Sequence, residues 1–141
     1  MLFFYNRIHK YTMTVINDPA LVAELTQLYL KYETALIAND LTVLDELFWE
    51  SPEVVRFGAT ENLYGIEAIR QFRRDRPTQD LARQISNLKV VTFDQDTASV
   101  TLEFERMTQG VLRRGRQSQV WRKLPAGWKI VFAHVSLLPP G

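Results

Sequence analysis

The spacing of the hydrophobic residues changes near Pro77, and this change constrains the fold more than any other feature of the chain. Upstream of it, apolar residues recur every three or four positions, as in amphipathic helices. Downstream of it, segments 85–93, 97–107, 115–124 and 128–137 read as four long strands with short turns between them. Consecutive strands with short links form an antiparallel meander. The sequence therefore predicts an α+β domain with helices on one face of the sheet.

The first half of the chain carries signals for three helices. Asp18 followed by Pro19 is a helix-start signal, and this helix is expected to end near Asn39. Asp40 can cap a second, shorter helix. The remaining predicted elements are a strand over 54–57, a reversal at Gly58 and a third helix that stops before Pro77.

The composition is ordinary for one soluble globular domain. The chain has 141 residues, of which 46% are hydrophobic and 23% are charged. Its formal net charge of +1 gives no long-range field, so neither nucleic acid nor a membrane is expected as a partner. Because there is no cysteine, disulfides, thiolate catalysis and cysteine-ligated zinc are excluded. A cytoplasmic, reducing location fits this composition.

The N-terminal residues are interpreted separately from the domain. Residues 1–5 are apolar, but they lack the basic start and the cleavage site of a secretion signal. No stretch approaches the roughly 20 apolar residues of a membrane span. Since Met13 is a second candidate start, we expect an N-terminal extension over residues 1–16 and a single domain over residues 17–141.

The last predicted strand indicates a pocket. Side chains alternate between the faces of a strand, so Trp128, Ile130, Phe132, His134 and Ser136 are expected on one face. That face would be dry at one end and polar at the other, as in a small-molecule site. The strand over 97–107 also has an apolar and a polar face, but the pattern leaves open which face of the sheet lines a cavity.

Arginine is concentrated in two segments of the chain. One interpretation is that these side chains are solvated or paired with the equally numerous acids. The other is that they attract an anionic substrate. The members are Arg70, Arg73, Arg74 and Arg76 in the first segment and Arg113, Arg114 and Arg116 in the second.

The order of elements and the closing sequences Gly-Trp-Lys-Ile-Val and His-Val-Ser resemble the nuclear transport factor 2-like superfamily. That group includes ketosteroid isomerase, scytalone dehydratase and the SnoaL-like polyketide cyclases, and the resemblance covers residues 18–138. It implies a cone-shaped fold, in which a curved antiparallel sheet packs on a long N-terminal helix and two shorter helices. By analogy with this group we expect a homodimer through the sheet, whose apolar outer side chains would otherwise be exposed.

Several further motifs lie at 32–33, 39–40, 44–49, 55–58, 61–65, 115–119 and 133–136. Together they are similar to the family of the oxalurate catabolism protein HpxZ and of AtzH from cyanuric acid breakdown. That resemblance implies activity on carboxylated urea compounds, of the decarboxylating amidohydrolase type for AtzH and within purine catabolism for HpxZ. It implies neither a metal nor an organic cofactor.

The same resemblance implies a catalytic pair, a tyrosine on the first helix and an arginine on the first strand, which match Tyr32 and Arg56. From its position alone, Tyr32 is either a core tyrosine or a phenol that donates to a developing anion. Arg56 is either exposed and salt-bridged or turned into the cavity, where a substrate carboxylate would pair with it. Val55, Arg56 and Phe57 cannot all face one way, so a bulge or the curvature of the sheet bears on this choice.

Six more residues are candidates for substrate binding. Arg116 and Ser118 share a strand face and can bind an anion, with Gln117 and Gln119 on the opposite face. A lone histidine such as His134 is more often a hydrogen-bonded core residue. Trp49 is either a lid or packing. The candidate set is Arg116, Ser118, His134, Ser136, Asn62 and Trp49.

Several enzyme classes do not fit the chain. It has no glycine-rich phosphate loop, no nucleophile-elbow serine and no metal-ligand spacing for His9 and His134. Glu103 and Glu105 share a strand face and are candidate bases in the manner of ketosteroid isomerase. That route is less favoured, because the isomerase uses an aspartate in an apolar site and no matching aspartate is evident.

The leading hypothesis is a small cofactor-free enzyme that acts on an anionic ureido-type substrate. Arg56 would anchor a carboxylate, and Tyr32 would donate where charge develops. A second hypothesis is a non-catalytic ligand-binding or accessory subunit that works with an amidohydrolase. A third is a purely dimeric structural module, whose cavity would be filled by its own side chains.

Overall fold

The structure, a computed structural model, describes residues 14–140. This part of the chain contains three helices and six strands, which confirms the predicted α+β class. The elements are α1 (Pro19–Ala38), α2 (Leu41–Leu47), β1 (Val55–Phe57), β2 (Asn62–Tyr64), α3 (Ile66–Asp75), β3 (Gln84–Phe93), β4 (Thr97–Thr108), β5 (Val111–Leu124) and β6 (Gly127–Leu137).

The first two helices are bounded by the caps that the sequence predicts. The Asp18 side chain accepts a hydrogen bond from the Ala20 amide at 3.1 Å. Asn39 ends α1 in the left-handed conformation, with φ of 51°. Asp40 then caps α2 by accepting from the Val43 amide at 3.2 Å. The chain therefore reverses at residues 39–40, and α2 packs beside α1.

The six strands form one sheet in the order β2-β1-β6-β5-β4-β3. Strands β3 to β6 form the predicted antiparallel meander, and β1 with β2 forms the short hairpin. Sequence reasoning missed the parallel pairing of β1 with β6, in which Arg56 lies beside Ala133. This pairing attaches β1 to the long closing strand.

The apolar face of β4 is the inner face of the sheet, against which the helices pack. Its side chains share one buried cluster with Leu25 and Tyr29 of α1. On the opposite face of β4, Glu103 and Glu105 are exposed. The inner side chains, each at most 4% exposed, are Ala98, Val100, Leu102 and Phe104.

Strand β6 contains one extra residue relative to its neighbour β5. Trp121 pairs with Ile130, but the preceding residue, Val120, pairs with Phe132. Val131 therefore has no partner across the ladder and forms a β-bulge. A bulge shifts the alternation by one position, so every side chain beyond it changes face.

This bulge corrects the prediction that five residues of the last strand share a face. Trp128 and Ile130 do face the core, with 7% and 0% exposure. Beyond the bulge Ala133 takes the inner face and is 2% exposed. The residues that alternate with it lie on the outer face of the sheet; they are Phe132, His134 and Ser136.

Strand β5 begins at Val111 rather than at the predicted residue 115. Gln109 and Gly110 both adopt positive φ, of 51° and 78°, and form a two-residue hairpin turn. The longer strand brings Arg113 into the sheet, directly opposite Arg106 of β4.

Most of the predicted N-terminal extension, including His9 and Met13, lies outside the described residues. Within them, the chain just before α1 runs beside the end of β3. The Asp94 amide donates to the Val15 carbonyl at 2.8 Å, and the Asn17 amide donates to the Thr92 carbonyl at 3.0 Å. None of the helices in residues 14–140 is long and apolar enough to cross a membrane.

The close packing around Gly115 gives a test of this arrangement. A Cβ atom at this position would lie 2.3 Å from Cζ of Phe104 and 2.7 Å from the carbonyl oxygen of Ser136. We expect Gly115→Ala to lower the free energy of unfolding by about 1–3 kcal/mol, because the ring and the neighbouring strand must move apart. Urea denaturation measures this change. The control is Arg114→Ala, whose side chain is 61% exposed and whose loss should cost under about 0.5 kcal/mol; equal effects would contradict the packing argument.

Candidate functional site

A cavity of about 580 Å³ opens between the inner face of the sheet and the C-terminal end of α3. Strands β1, β4, β5 and β6 form one wall, and the chain that follows α3 forms another. Two carboxylates line it among the described residues, those of Glu61 and Asp80. Four arginines also line it, namely Arg56, Arg76, Arg106 and Arg113. The cavity therefore has an excess of positive charge, which suits an anionic ligand.

Arg56 points into this cavity from β1. It is 7% exposed, whereas Val55 and Phe57 on either side are half-buried, so strict alternation without a bulge places the arginine on the inner face. Its Nη1 atom donates to Oε1 of Glu61 at 3.1 Å. Its guanidinium lies 5.2 Å from the centre of the Phe72 ring. Arg56 is therefore turned into the cavity and also salt-bridged, so it combines features of both alternatives that the sequence left open.

Tyr32 lies on the buried face of α1 and is 1% exposed. Its ring centre is 6.2 Å from that of Phe48 and 5.6 Å from that of Tyr29. It is not one of the residues that line the cavity. Tyr32 and Arg73 share a neighbour, because the Arg73 guanidinium lies 4.3 Å from the centre of the same Phe48 ring. No hydrogen bond joins Tyr32 to Arg56 among the described residues.

Arg73 belongs to the first arginine-rich segment, for which the sequence left open either solvation and pairing or attraction of an anion, but it was not among the predicted site residues. It is 2% exposed, and its guanidinium lies 4.3 Å from the centre of the Phe48 ring. Within residues 14–140, its Nη1 and Nη2 atoms have no hydrogen-bond partner. Its position was readable from the chain, because Arg73 continues the buried stripe of α3 that begins with Ile66 and Ile69.

Burial makes the positive charge of Arg73 unfavourable. Loss of solvation lowers the pKa of Arg73 to about 10; Tyr32 opposes this shift, while Arg56 and Arg76 add to it by repulsion. An unpaired buried charge is among the costliest features of a folded protein. The face of the Phe48 ring offsets part of this cost, and an anion held by the neighbouring arginines of the cavity would offset more of it.

Arginines that line the cavity itself are also incompletely paired. Arg76 donates to Oδ1 of Asn39 through Nε at 3.1 Å and Nη2 at 2.8 Å, and burial lowers its pKa. The Nε atom of Arg106 is buried without a partner among the described residues. Arg106 also faces Arg113 across the β4–β5 ladder, where like charges repel. An anion between these two side chains would relieve that repulsion.

A second buried polar network lies beside the cavity and, unlike the cavity arginines, has partners for its charged groups. Arg83 binds Glu33 through Nε to Oε2 and Nη2 to Oε1, both at 2.8 Å. Tyr29 donates to Oε1 of Glu33 at 2.8 Å, and Arg83 also donates to Gln117 at 2.9 Å. Burial raises the pKa of Tyr29, and the hydrogen bond to Glu33 adds to this effect. Because its groups are paired with one another, we interpret this network as structural.

Four of the six residues predicted to bind substrate lie together, but on the outer face of the sheet. They line a separate groove of about 510 Å³, and Nε of Arg116 donates to Oγ of Ser136 at 3.0 Å. The structure confirms that Arg116 and Ser118 share a face opposite to Gln117 and Gln119. The inner face is the one that carries Tyr32 and Arg56. The four are Arg116, Ser118, His134 and Ser136.

The last two predicted residues lie apart from both groups. Asn62 is exposed on β2 and pairs with Phe57 across the hairpin. Trp49 is half-buried and lines a third cavity, of about 750 Å³, with Arg70 and Lys129. Arg70 is satisfied there by ion pairs with Asp45, Glu50 and Glu67. The described residues also contain no group of side chains arranged to hold a metal ion.

Comparison with known proteins gives one family and one fold. A family model described as AtzH-like matches residues 14–140. A crystal structure of a protein of unknown function from the DUF3225 family of Pectobacterium atrosepticum is 48% identical, with a TM-score of 0.84 over 88% of this chain and 95% of that chain. No curated protein matches the chain.

Two further solved structures extend the comparison. A cystatin-like fold protein from Burkholderia xenovorans is 39% identical, with a TM-score of 0.84 over 92% of this chain and 100% of that chain. A nuclear transport factor 2-like protein from Salmonella enterica is 22% identical, with a TM-score of 0.71 over 86% of this chain and 93% of that chain. At that lower identity the likeness concerns the fold alone, and it confirms the predicted fold.

The unpaired charge of Arg73 gives a test that needs no ligand. We expect Arg73→Met to raise the free energy of unfolding by about 1–4 kcal/mol, because an apolar side chain of similar length fills the same space without a charge to desolvate. Urea denaturation in a buffer without multivalent anions measures this. The matched control is Arg74→Met, whose side chain is exposed on the same helix and whose effect should stay within about 0.5 kcal/mol. A loss of stability in Arg73→Met would mean that the guanidinium is already paired.

Proposed function

Because this chain belongs to the AtzH-like family, whose model spans residues 14–140, we propose that it is a small enzyme that acts on carboxylated urea compounds and removes carboxylate from a nitrogen atom of an N-carboxyurea. The observation that supports this best is the charge of the cavity. Four lining arginines face two carboxylates, and Arg73 adds a fifth guanidinium behind them without a partner among the described residues. A substrate that carries one or two carboxylates would balance this charge.

In this proposal the arginines bind and Tyr32 transfers a proton. Arg56 holds a carboxylate of the substrate with its planar guanidinium. When the bond between nitrogen and the departing carboxylate breaks, its electron pair goes to nitrogen and carbon dioxide leaves. That nitrogen then needs a proton. Because Tyr32 is buried behind the lining of the cavity, we propose that the proton of its phenol reaches the nitrogen through a bridging water molecule and that water restores it. Arg73, which packs on the same Phe48 ring as Tyr32, stabilises the negative charge that the phenol carries in between.

The pair formed by Arg106 and Arg113 supports a substrate with a second anionic group. These two arginines meet across the β4–β5 ladder and line the same cavity as Arg56. Oxalurate carries one carboxylate, which is bonded to carbon, whereas 1,3-dicarboxyurea carries two, both bonded to nitrogen. The proposed decarboxylation and the second anionic position therefore both fit 1,3-dicarboxyurea, and oxalurate tests binding of a single carboxylate. The cofactor-free chemistry proposed here draws only on side chains, with no step that requires a metal ion or an organic group.

Turnover of a substrate panel tests the proposal. Purified protein is incubated with ureido acids and N-carboxyureas, including oxalurate and 1,3-dicarboxyurea, and carbon dioxide and ammonia are followed. We expect carbon dioxide release that falls about 10²-fold or more in Tyr32→Phe, which lacks the proton, and in Arg56→Lys, which lacks the planar fork. Tyr64→Phe is the control, because this tyrosine is 65% exposed on the outer face.

Two outcomes would contradict the enzymatic proposal. Full turnover in both Tyr32→Phe and Arg56→Lys would remove these residues from the chemistry. Tight binding of a panel member with no turnover by the wild-type protein would instead favour the ligand-binding or accessory subunit.

We also propose that the chain forms a homodimer through the outer face of the sheet. An aromatic group lies there, in which the Phe57 ring centre is 5.9 Å from that of Tyr64, 6.0 Å from that of Phe132 and 5.6 Å from that of His134. Large aromatic residues on a half-exposed surface are typical of the centre of an interface.

Sedimentation velocity tests the dimer. The wild-type protein should sediment at about twice the mass of the chain, and Phe57→Lys should sediment as a monomer, because it places a charge in the proposed interface. Ile37→Lys, at a position of α1 that is 37% exposed, is the control and should remain a dimer. A monomeric wild-type protein would refute this proposal and leave the enzymatic one intact.

A further inference from the structure

We propose that Glu61 is an internal carboxylate that occupies the anion position of Arg56 in the free protein and has to leave it before a substrate carboxylate binds. Glu61 would thereby be a specificity-determining residue, because only a ligand with a competing negative charge can replace it. This inference rests on the proposed function in one respect, namely that Arg56 holds the substrate's carboxylate.

The geometry places the Glu61 carboxylate inside the site. The turn between β1 and β2 is closed by a hydrogen bond from the Gly58 amide to the Glu61 carbonyl, at 2.8 Å. From the end of this turn the side chain folds back, so that Oε1 accepts from Nη1 of Arg56 at 3.1 Å. Oε2 accepts from Oγ1 of Thr60 at 2.8 Å. The carboxylate thus bridges the wall of the cavity and its rim.

Gly58 makes room for this carboxylate. A Cβ atom on Gly58 would lie only 1.6 Å from Oε1 of Glu61, and the contact is with the end of a flexible side chain rather than with backbone. Because Gly58 is not among the residues with positive φ, alanine fits its backbone conformation. A methyl group here would therefore push the carboxylate away from Arg56 without changing any charge.

The pairing is of a kind that a ligand can replace. Glu61 accepts a hydrogen bond from one nitrogen of Arg56, whereas Glu33 accepts hydrogen bonds from two nitrogens of Arg83. The Glu61 side chain is 21% exposed at the edge of the cavity, against 9% for that of Arg56. A carboxylate that reaches the guanidinium and forms two parallel hydrogen bonds has the stronger geometry, and the displaced Glu61 can turn to water.

The pairing also explains how the charge of Arg56 is tolerated in the free protein. A buried guanidinium without a partner is costly, and Arg56 already has the positive charges of Arg73 and Arg76 nearby. Glu61 offsets this cost until a substrate arrives. A neutral analogue of the substrate does not displace Glu61, so it gains no binding energy from Arg56. The Arg56–Glu61 pair therefore favours anionic ligands over neutral ones.

Binding of malonate and of its neutral amide, malonamide, tests this role by titration calorimetry. Glu61→Gln keeps the shape of the side chain but removes the competing charge, so the dissociation constant of malonate should fall about tenfold. Gly58→Ala displaces the carboxylate from Arg56 by steric contact, so the dissociation constant of malonate should fall in this variant as well. Malonamide binding should change in neither variant.

The matched control is Glu67→Gln, which removes a carboxylate that pairs with Arg70 on the surface of α3. It should leave malonate binding unchanged. Suppose that the wild-type protein binds malonate and that Arg56→Lys weakens this binding. If Glu61→Gln and Gly58→Ala then leave malonate binding unchanged or weaken it, only the proposed role of Glu61 is overturned. No malonate binding by the wild-type protein or by any variant would overturn the anion site and the proposed function together.

Discussion

The single extra residue in β6, Val131, decides which side chains of the closing strand reach the interior. Up to Ile130 the strand presents large apolar residues to the helices, and beyond the bulge it presents Ala133 instead. Ala133 is the residue beside which Arg56 lies in the parallel pairing of β1 with β6. A small side chain at that point leaves space for a guanidinium. The bulge therefore helps to form the charged cavity, because it places alanine rather than a large residue beside Arg56.

Two arginine–glutamate pairs, one within the core and one at the cavity, differ in how completely their hydrogen-bonding groups are used. Arg83 and Glu33 are joined by two hydrogen bonds, with further bonds to Tyr29 and Gln117, so that this buried network satisfies its members. Arg56 and Glu61 are joined by one bond at the edge of the cavity. The first pair resists change, whereas the second leaves donors for a ligand.

Membership of the AtzH-like family and the nuclear transport factor 2-like fold do not by themselves identify a function. The function has to be inferred from the side chains of the cavity. The similar solved structures come from proteins of unknown function or are described by their fold. Four arginines line the cavity of this chain together with two carboxylates, and the guanidinium of the buried Arg73 has no hydrogen-bond partner at its terminal nitrogens among the described residues. That imbalance favours an anionic substrate over the neutral steroid-like ligands that an apolar cavity would take.

Local signals were enough to predict the elements of this fold. The caps Asp18, Asn39 and Asp40 bound the first two helices as expected, since each acts within a few residues of chain. The change of hydrophobic period separates the helices from the meander for the same reason. The position of Arg73 was also encoded locally, on the apolar stripe of α3.

The arrangement of the site depended on contacts between distant segments. A strand pattern of period two separates the side chains into two faces but does not tell which face is the inner one. A single bulge also exchanges the faces for all residues beyond it, which is why His134 and Ser136 do not lie on the face that carries Arg56. The parallel pairing of β1 with β6 and the meeting of Arg106 with Arg113 likewise arise only when the sheet assembles. The sequence by itself thus determined the secondary structure, the order of the meander and the family, because these follow from local chemistry and spaced motifs. Only the tertiary structure decided which arginines share a cavity and which carboxylate already occupies it, because burial and pairing are properties of the packed chain.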